Sequence, residues 1–227
     1  MPPVKKNIFF PFIVREWVRI VMKPRYLYRG DSDQSNERQL RSVYPLGSRG
    51  YLLSNLSNGG SGLEIFTTPL VEAVDRHVDV GWSNTHFLSF SGSHDQAMTF
   101  AAGQEPHCLI PTYEEPWDAA VITVDTGLFS SSEQVDQGVY QCTYPRRMPA
   151  RYKGSTIHVL LIDVVAYLRY HMCTGHAGLN DAFEKATRDS EWLILPLDPC
   201  EDAPGELTAK LDDGCVAEFE RYRFEVP

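Results

Sequence analysis

The chain lacks most of the short signatures that identify a catalytic fold directly. Its 227 residues contain no G-x-S-x-G nucleophile elbow, no G-x-x-x-x-G-K-[ST] phosphate loop, no G-x-G-x-x-G dinucleotide turn and no H-E-x-x-H zinc motif. No segment is apolar for long enough to predict a membrane-spanning helix, so we expect no membrane partner. Elbow-type serine hydrolases, P-loop nucleotidases and Rossmann dehydrogenases are therefore disfavoured.

Cysteine and positive charge are also scarce. The chain has 5 cysteines, which are widely spaced and form no C-x-x-C pair. This pattern favours reduced thiols over a disulfide framework, although two bridges and one free thiol stay open. The net charge is -9, from 21 basic and 30 acidic residues. An acidic chain argues against broad, sequence-independent binding of nucleic acid.

The length fits one large domain, or a domain with an N-terminal extension. Residues 4–22 carry two lysines and a short apolar stretch, which is interrupted by Pro11 and followed by Arg15 and Glu16. They show no small-residue cleavage site, so they do not match a signal peptide. We predict an arm or short helix over residues 1–24, packed on a single domain of residues 25–227. The expected site of action is cytosolic, and non-classical secretion stays open.

Short strands alternate with helices along the chain, which predicts an α+β fold. Predicted strands cover residues 25–29, 85–90, 119–125, 192–197 and 216–226. Predicted helices cover residues 12–23 and 68–80. Two further helices are predicted, one that begins at residue 93 and one that begins at Asp31 or Ser32. Residues 155–172 indicate a buried helix whose first half could be a strand. Residues 175–188 indicate a loop that holds one helical turn at most.

Three short segments together carry the groups needed to hold a dinucleotide and break its N-glycosidic bond. They are Tyr28-Arg29-Gly30-Asp31-Ser32, Leu88-Ser89-Phe90-Ser91 and Asp189-Ser190-Glu191. An arginine can bind a pyrophosphate, and a glycine beside it lets the backbone approach a ligand closely.

The other two segments supply the groups for bond cleavage. The Glu191 carboxylate could stabilise the positive charge that develops on a ribose as its base leaves. The hydroxyl of Ser89 could hold that carboxylate in one rotamer. Phe90, Phe100 and Tyr28 are candidate platforms for an aromatic base.

With these motifs the chain resembles the arginine–serine–glutamate class of mono-ADP-ribosyltransferases, the cholera-toxin-like and pierisin-like group. The first motif closely matches the family's Tyr-Arg-x-Asp-Ser strand end. The second matches its Ser-Thr-Ser strand, with Phe90 in place of the threonine. The third corresponds to the Glu-x-Glu or Gln-x-Glu that precedes an apolar strand, with Asp189 in place of the first glutamate or glutamine. The resemblance frames most of the chain, and it implies two facing mixed β-sheets with flanking helices and an NAD cleft between the sheets.

The resemblance also implies roles for individual residues. Residues 25–227 would be the catalytic domain of a transferase that uses NAD as a substrate and needs no metal. Glu191, Ser89 and Arg29 would be catalytic, and residues 175–188 would recognise the target. The residues implied in NAD binding are Arg29, Gly30, Asp31, Ser89, Phe90, Ser91 and Phe100.

The acceptor is the least determined part of the resemblance. Asp189 would face the acceptor, where the family has glutamate for arginine acceptors and glutamine for others. Aspartate keeps the charge with a shorter reach, which gives a weak preference for protein arginine within a macromolecular acceptor. A protein is favoured over nucleic acid, and the fold and motifs are also found in toxins and effectors. The sequence does not indicate the oligomeric state.

Three other interpretations stay open. The same site could hydrolyse NAD with water as the acceptor, or the domain could bind a nucleotide without turnover. The motifs could also match an unrelated α+β protein by chance.

A His171-x-Cys173-x-x-His176 pattern offers three metal ligands with no evident fourth, so we predict no metal site.

Overall fold

A computed structural model describes residues 23–32, 69–80, 87–103, 116–145, 156–197, 199–203, 206–209, 211 and 213–225. Within these ranges the chain forms an α+β fold, as predicted. The predicted N-terminal arm lies outside the described residues, apart from 23 and 24. So does most of the helix expected after Asp31, and both Asp31 and Ser32 belong to a strand instead.

Ten strands are described, and the names β1 to β10 follow the order of the chain. They are β1 (Tyr26–Ser32), β2 (Leu88–Ser91), β3 (Trp117–Asp125), β4 (Ser130–Asp136), β5 (Val139–Pro145), β6 (Thr156–Asp163), β7 (Glu191–Pro196), β8 (Pro199–Ala203), β9 (Glu206–Ala209) and β10 (Val216–Phe224). Eight of them form one sheet in the order β10-β3-β1-β2-β7-β6-β5-β4, and β8 pairs with β9 in a separate hairpin.

The sheet differs from the expectation of two facing mixed sheets. Every described pairing is antiparallel, and hydrogen bonds join each of the eight strands to the next strand in the sheet. The connection is nevertheless narrow at one point, because β1 and β2 share a single registered pair, Tyr28 and Ser91. By contrast β1 pairs with β3 along its whole length, from Tyr26 to Ser32. The sheet therefore consists of two well-paired parts that meet at one pair of residues.

Within the described residues, four α-helices pack on the sheet: α1 (Leu70–Val80), α2 (His94–Ala101), α3 (Val164–Cys173) and α4 (Asn180–Asp189). The first of them confirms the predicted helix that ends at Val80. The α2 helix begins after Ser93, whose side chain accepts a hydrogen bond from the Gln96 N–H. None of the described helices is long and apolar enough to cross a bilayer.

The structure corrects two predictions in the second half of the chain. Residues 175–188 are not a loop, because α4 occupies most of them and buries Ala182 and Ala186, four residues apart, against its neighbours. The predicted buried helix at 155–172 is a strand followed by a helix, which was the stated alternative. Asp163 ends β6 and caps α3 by accepting a hydrogen bond from the Ala166 N–H.

The core is divided by the sheet. Helices α1, α3 and α4 pack with the Leu193 and Leu195 side of β7, while Phe90, Trp192 and Ile194 belong to a cluster on the opposite side. Because successive strand residues face opposite sides, Ser89 and Glu191 share the helix-covered side with Leu193. The two polar side chains predicted to act together are therefore set on one face by strand alternation.

Candidate active site

The serine and glutamate singled out from the sequence are in direct contact. The Ser89 hydroxyl donates a hydrogen bond of 3.1 Å to Oε1 of Glu191. In the β2–β7 register Ser89 lies opposite Leu193 and Ser91 lies opposite Glu191, so Ser89 and Glu191 are diagonal neighbours on adjacent strands. The register of two core strands thus fixes the carboxylate against the hydroxyl.

A histidine that the sequence interpretation did not include completes this contact. Nε2 of His77, in α1, lies 2.7 Å from Oγ of Ser89. His77 is buried on the same face of the helix as Val74, which packs in the core. The signal in the sequence was a histidine three residues after a core valine, at helical spacing. The same spacing is typical of a histidine that only packs in a core, so the sequence pattern does not single out His77.

Burial shifts the pKa values of both ionisable groups in the chain of contacts. Burial raises the pKa of Glu191 from 4.5 to about 7, and the nearby charge of Asp189 also raises it. The Ser89 hydrogen bond and the charge of Arg188 lower it, but by less. Burial, together with the positive charge of Arg29, lowers the pKa of His77 to about 3. At neutral pH the histidine is therefore neutral, and the glutamate is close to its midpoint.

These protonation states determine the direction of the hydrogen bonds. A hydroxyl has one proton, and Ser89 gives it to Glu191 when the glutamate is ionised. Oγ of Ser89 must then accept from His77, which requires the tautomer with its proton on Nε2. The neutral histidine thus orients the hydroxyl towards the carboxylate.

Arg29 reaches the same serine from β1. Its Nη1 donates a hydrogen bond of 3.1 Å to the backbone carbonyl of Ser89. Its Nε lies 3.6 Å from Oδ2 of Asp31, whose carboxylate is buried. Nε of Arg29 is buried and makes no hydrogen bond within the described part of the chain. The guanidinium therefore bridges β1 and β2 close to their single registered pair, with donor capacity left over.

Gly30 is required for helix packing, a role that the sequence did not predict. A Cβ atom at this position would lie 1.8 Å from the Ala97 carbonyl oxygen and 2.7 Å from the Ala101 nitrogen, both in the backbone of α2. The glycine therefore permits close packing of a helix on β1, whereas the prediction was close approach of a ligand. This packing places Ser93 and the start of α2 beside the end of β2.

Ser91 and Asp189 are linked through the backbone at the edge of the site. The Ser91 hydroxyl donates to the Asp189 carbonyl oxygen at 2.7 Å, and it accepts from the Ser93 N–H at 3.0 Å. The Gly92 N–H donates to the Ser190 carbonyl oxygen at 2.8 Å. Ser190 itself adopts a left-handed conformation, with φ of 49°. The end of α4 is thus attached to the end of β2, immediately before Glu191.

The aromatic candidates differ in their accessibility. Phe90 is 3% exposed and lies in the core cluster on the side of the sheet opposite to Ser89. This burial argues against Phe90 as a stacking platform. Phe100 is 42% exposed on α2. Tyr28 is partly buried and packs edge to face on His94. Phe100 and Tyr28 therefore remain as candidates.

The histidines considered as metal ligands lie away from this cluster. The rings of His171 and His176 are 5.5 Å apart at the end of α3, and Nε2 of His171 is 3.9 Å from Asp136. Across the residues that the structure describes, no group of three or more His, Cys, Asp or Glu side chains is arranged to hold a metal ion.

Comparison with protein-family models gives no match for the chain, and no curated protein is significantly similar to it. The function must therefore be inferred from the chemistry of the site.

Proposed function

We propose that the protein is an NAD-dependent mono-ADP-ribosyltransferase that cleaves the nicotinamide–ribose bond and transfers ADP-ribose to a macromolecular acceptor. One observation carries the proposal. Arg29 and Glu191 contact Ser89 from sequence distances of 60 and 102 residues. The convergence on one residue of three motifs that were selected for one reaction supports the proposal.

The roles of the residues follow from their chemistry. The Glu191 carboxylate, when ionised, stabilises the positive charge that grows on the ribose as neutral nicotinamide departs. Ser89 and neutral His77 hold that carboxylate in one orientation, so that little reorganisation is needed during the reaction. Arg29 contributes a positive charge beside Ser89, and its side chain is 14% exposed, which supports a role in binding a phosphate group. Gly30, Asp31, Ser91 and Phe100 stay predicted NAD contacts.

Two proposals concern the acceptor. The retained carboxylate at Asp189 supports a protein arginine as the acceptor, as the resemblance implied. A second function, NAD hydrolysis with water as the acceptor, is favoured by a specific contact, because the Asp189 carboxylate already accepts two hydrogen bonds from Arg188, of 2.8 and 3.0 Å.

The test is release of nicotinamide from NAD by the purified protein and by its Glu191→Gln variant. Glutamine keeps the shape and the hydrogen bond with Ser89 but removes the anion. We expect the variant to lose about a hundredfold or more in rate, on the order of 3 kcal/mol, with NAD binding by calorimetry largely retained.

Glu184→Gln is the matched control, because Glu184 is exposed on α4 and the substitution removes the same charge. Its rate should equal that of the unmodified protein. NAD binding without any turnover, with or without an arginine-rich acceptor protein, would instead identify a binding module. Equal rates for Glu191→Gln and the unmodified protein would remove Glu191 from the mechanism.

A further inference from the structure

The carboxylate of Asp189 is held by the protein's own guanidinium. Nε and Nη2 of Arg188 donate to the two carboxylate oxygens of Asp189, at 2.8 and 3.0 Å. Nε2 of Gln96, in α2, donates to Oδ1 at 3.3 Å. This two-pronged geometry is the one that arginine uses to recognise carboxylates in general. An arginine acceptor would approach the same carboxylate with the same pair of N–H donors.

The pair lies next to the reacting carboxylate. Asp189 and Arg188 both influence the pKa of Glu191, in opposite directions. Two hydrogen bonds fix the backbone around the pair. The Ser91 hydroxyl donates to the Asp189 carbonyl oxygen, and the Gly92 N–H donates to the Ser190 carbonyl oxygen. The side chain of Asp189 is 14% exposed and that of Arg188 is 35% exposed. Arg188 is therefore the more exposed member of the pair, and it occupies both oxygens of the carboxylate that an arginine acceptor would need.

We propose that Arg188 is an acceptor-specificity residue that occupies the carboxylate of Asp189 and must be displaced by a guanidine acceptor. This inference rests on the proposed function and concerns the same site. While Arg188 stays paired, water is the favoured acceptor. An acceptor protein that binds tightly enough to displace Arg188 gains access to the anion of Asp189.

Both outcomes follow from one bond-breaking step. The bond between the ribose C1′ and the nicotinamide nitrogen breaks, and nicotinamide leaves with the electron pair. A new bond then forms from C1′ either to a water oxygen or to a guanidine nitrogen, and the acceptor loses one proton to solvent in each case. The ratio of the two products is therefore independent of how fast the first bond breaks. A change in that ratio reports on the acceptor position and not on Glu191.

The experiment incubates NAD with the full chain and with agmatine, a small guanidine acceptor, and measures ADP-ribosyl-agmatine per nicotinamide released. Arg188→Gln should raise this ratio by about fivefold, since an exposed ion pair of this kind contributes on the order of 1 kcal/mol. The double variant Arg188→Gln/Asp189→Asn should lose the gain, because the freed carboxylate is then absent. Arg223→Gln removes the same charge from β10, where Arg223 pairs with Asp118, and should leave the ratio unchanged.

The outcomes separate this inference from the proposed function. Nicotinamide release with an unchanged ratio in Arg188→Gln would overturn the role of Arg188 and leave the proposed function intact. A gain that persists in the double variant, or that also appears in Arg223→Gln, would show a general charge effect and overturn the role of Arg188 as well. No nicotinamide release from the unmodified protein, with or without agmatine, would overturn both.

Discussion

Replacing Glu191 by glutamine should stabilise the fold while it removes activity. The pKa of this carboxyl rises from 4.5 to about 7 on folding, chiefly through burial. At pH 4 the group is protonated in both the folded and the unfolded chain, so it makes no pH-dependent contribution. Between about pH 4.5 and 7 the unfolded chain releases the proton first, and the free energy of unfolding of the wild-type protein therefore falls as the pH rises.

The size of the effect follows from the same values. At about 1.4 kcal/mol for each pH unit, a rise in pKa from 4.5 to about 7 corresponds to about 3 kcal/mol at most. Glu191 retains some exposure to solvent, which reduces the figure. We expect the variant to gain on the order of 1–3 kcal/mol over the wild-type protein between pH 4 and pH 8.

Urea unfolding of both proteins at pH 4 and pH 8 measures this change. The other ionisable groups are common to both chains, so their contributions largely cancel in the difference between them. Glu184→Gln, which removes an exposed carboxylate, should show a much smaller change between the two pH values. A difference between Glu191→Gln and the wild-type protein that is the same at pH 4 and pH 8 would refute the argument that Glu191 is destabilised by burial.

Three further predictions concern the residues around this carboxylate. The kcat/KM for nicotinamide release should rise about tenfold per pH unit below about pH 7 and level off above it, because the proposed mechanism requires the ionised form of Glu191. In Ser89→Ala the rise should move to higher pH, since the hydrogen bond that lowers the pKa of Glu191 is lost. An unmoved profile would contradict that role of Ser89. Gly30→Ala should destabilise the fold by at least about 1–3 kcal/mol in thermal unfolding, because the new Cβ would lie 1.8 Å from a backbone oxygen. Gly92→Ala should have little effect, because the nearest atom to its Cβ would be 3.6 Å away. His77→Phe should lower kcat for nicotinamide release about tenfold with KM nearly unchanged, and full activity in a folded His77→Phe protein would show that Ser89 needs no second partner.

The parts of the site that the sequence predicted were those with local signals. Arg29 and Ser89 lie within strands, and Glu191 begins one, and the alternation or apolar run of each strand was visible in the sequence. Arg29 was expected at the end of its strand but lies in the middle of β1. The pairing of Ser89 with Glu191 then required only that β2 and β7 be neighbours. The capping of α2 by Ser93 was likewise a local property.

The parts that the sequence did not predict depend on tertiary packing. A histidine at a core position of a helix gives the same sequence pattern whether it orients a hydroxyl or only packs in the core, so the sequence did not predict the role of His77. The α4 helix was not predicted because most of its residues are polar, and its two buried alanines contribute only through packing against other elements. The need for Gly30 depends on how closely α2 approaches β1, which is set by residues remote in sequence. The single sheet depends on pairing between strands that local patterns do not specify.

The contact between Ser89 and Glu191 also has a consequence for how the protein is made. The two residues are separated by 102 positions, and Glu191 lies on β7, between strands that are themselves distant in sequence. A nascent chain released from the ribosome before β7 contains the arginine, the histidine and the serine but lacks the anion. Under the proposed mechanism, neither an incomplete translation product nor a fragment cut before residue 191 would consume NAD. In a cell that produces this protein, activity would therefore begin only after residue 191 has been synthesised.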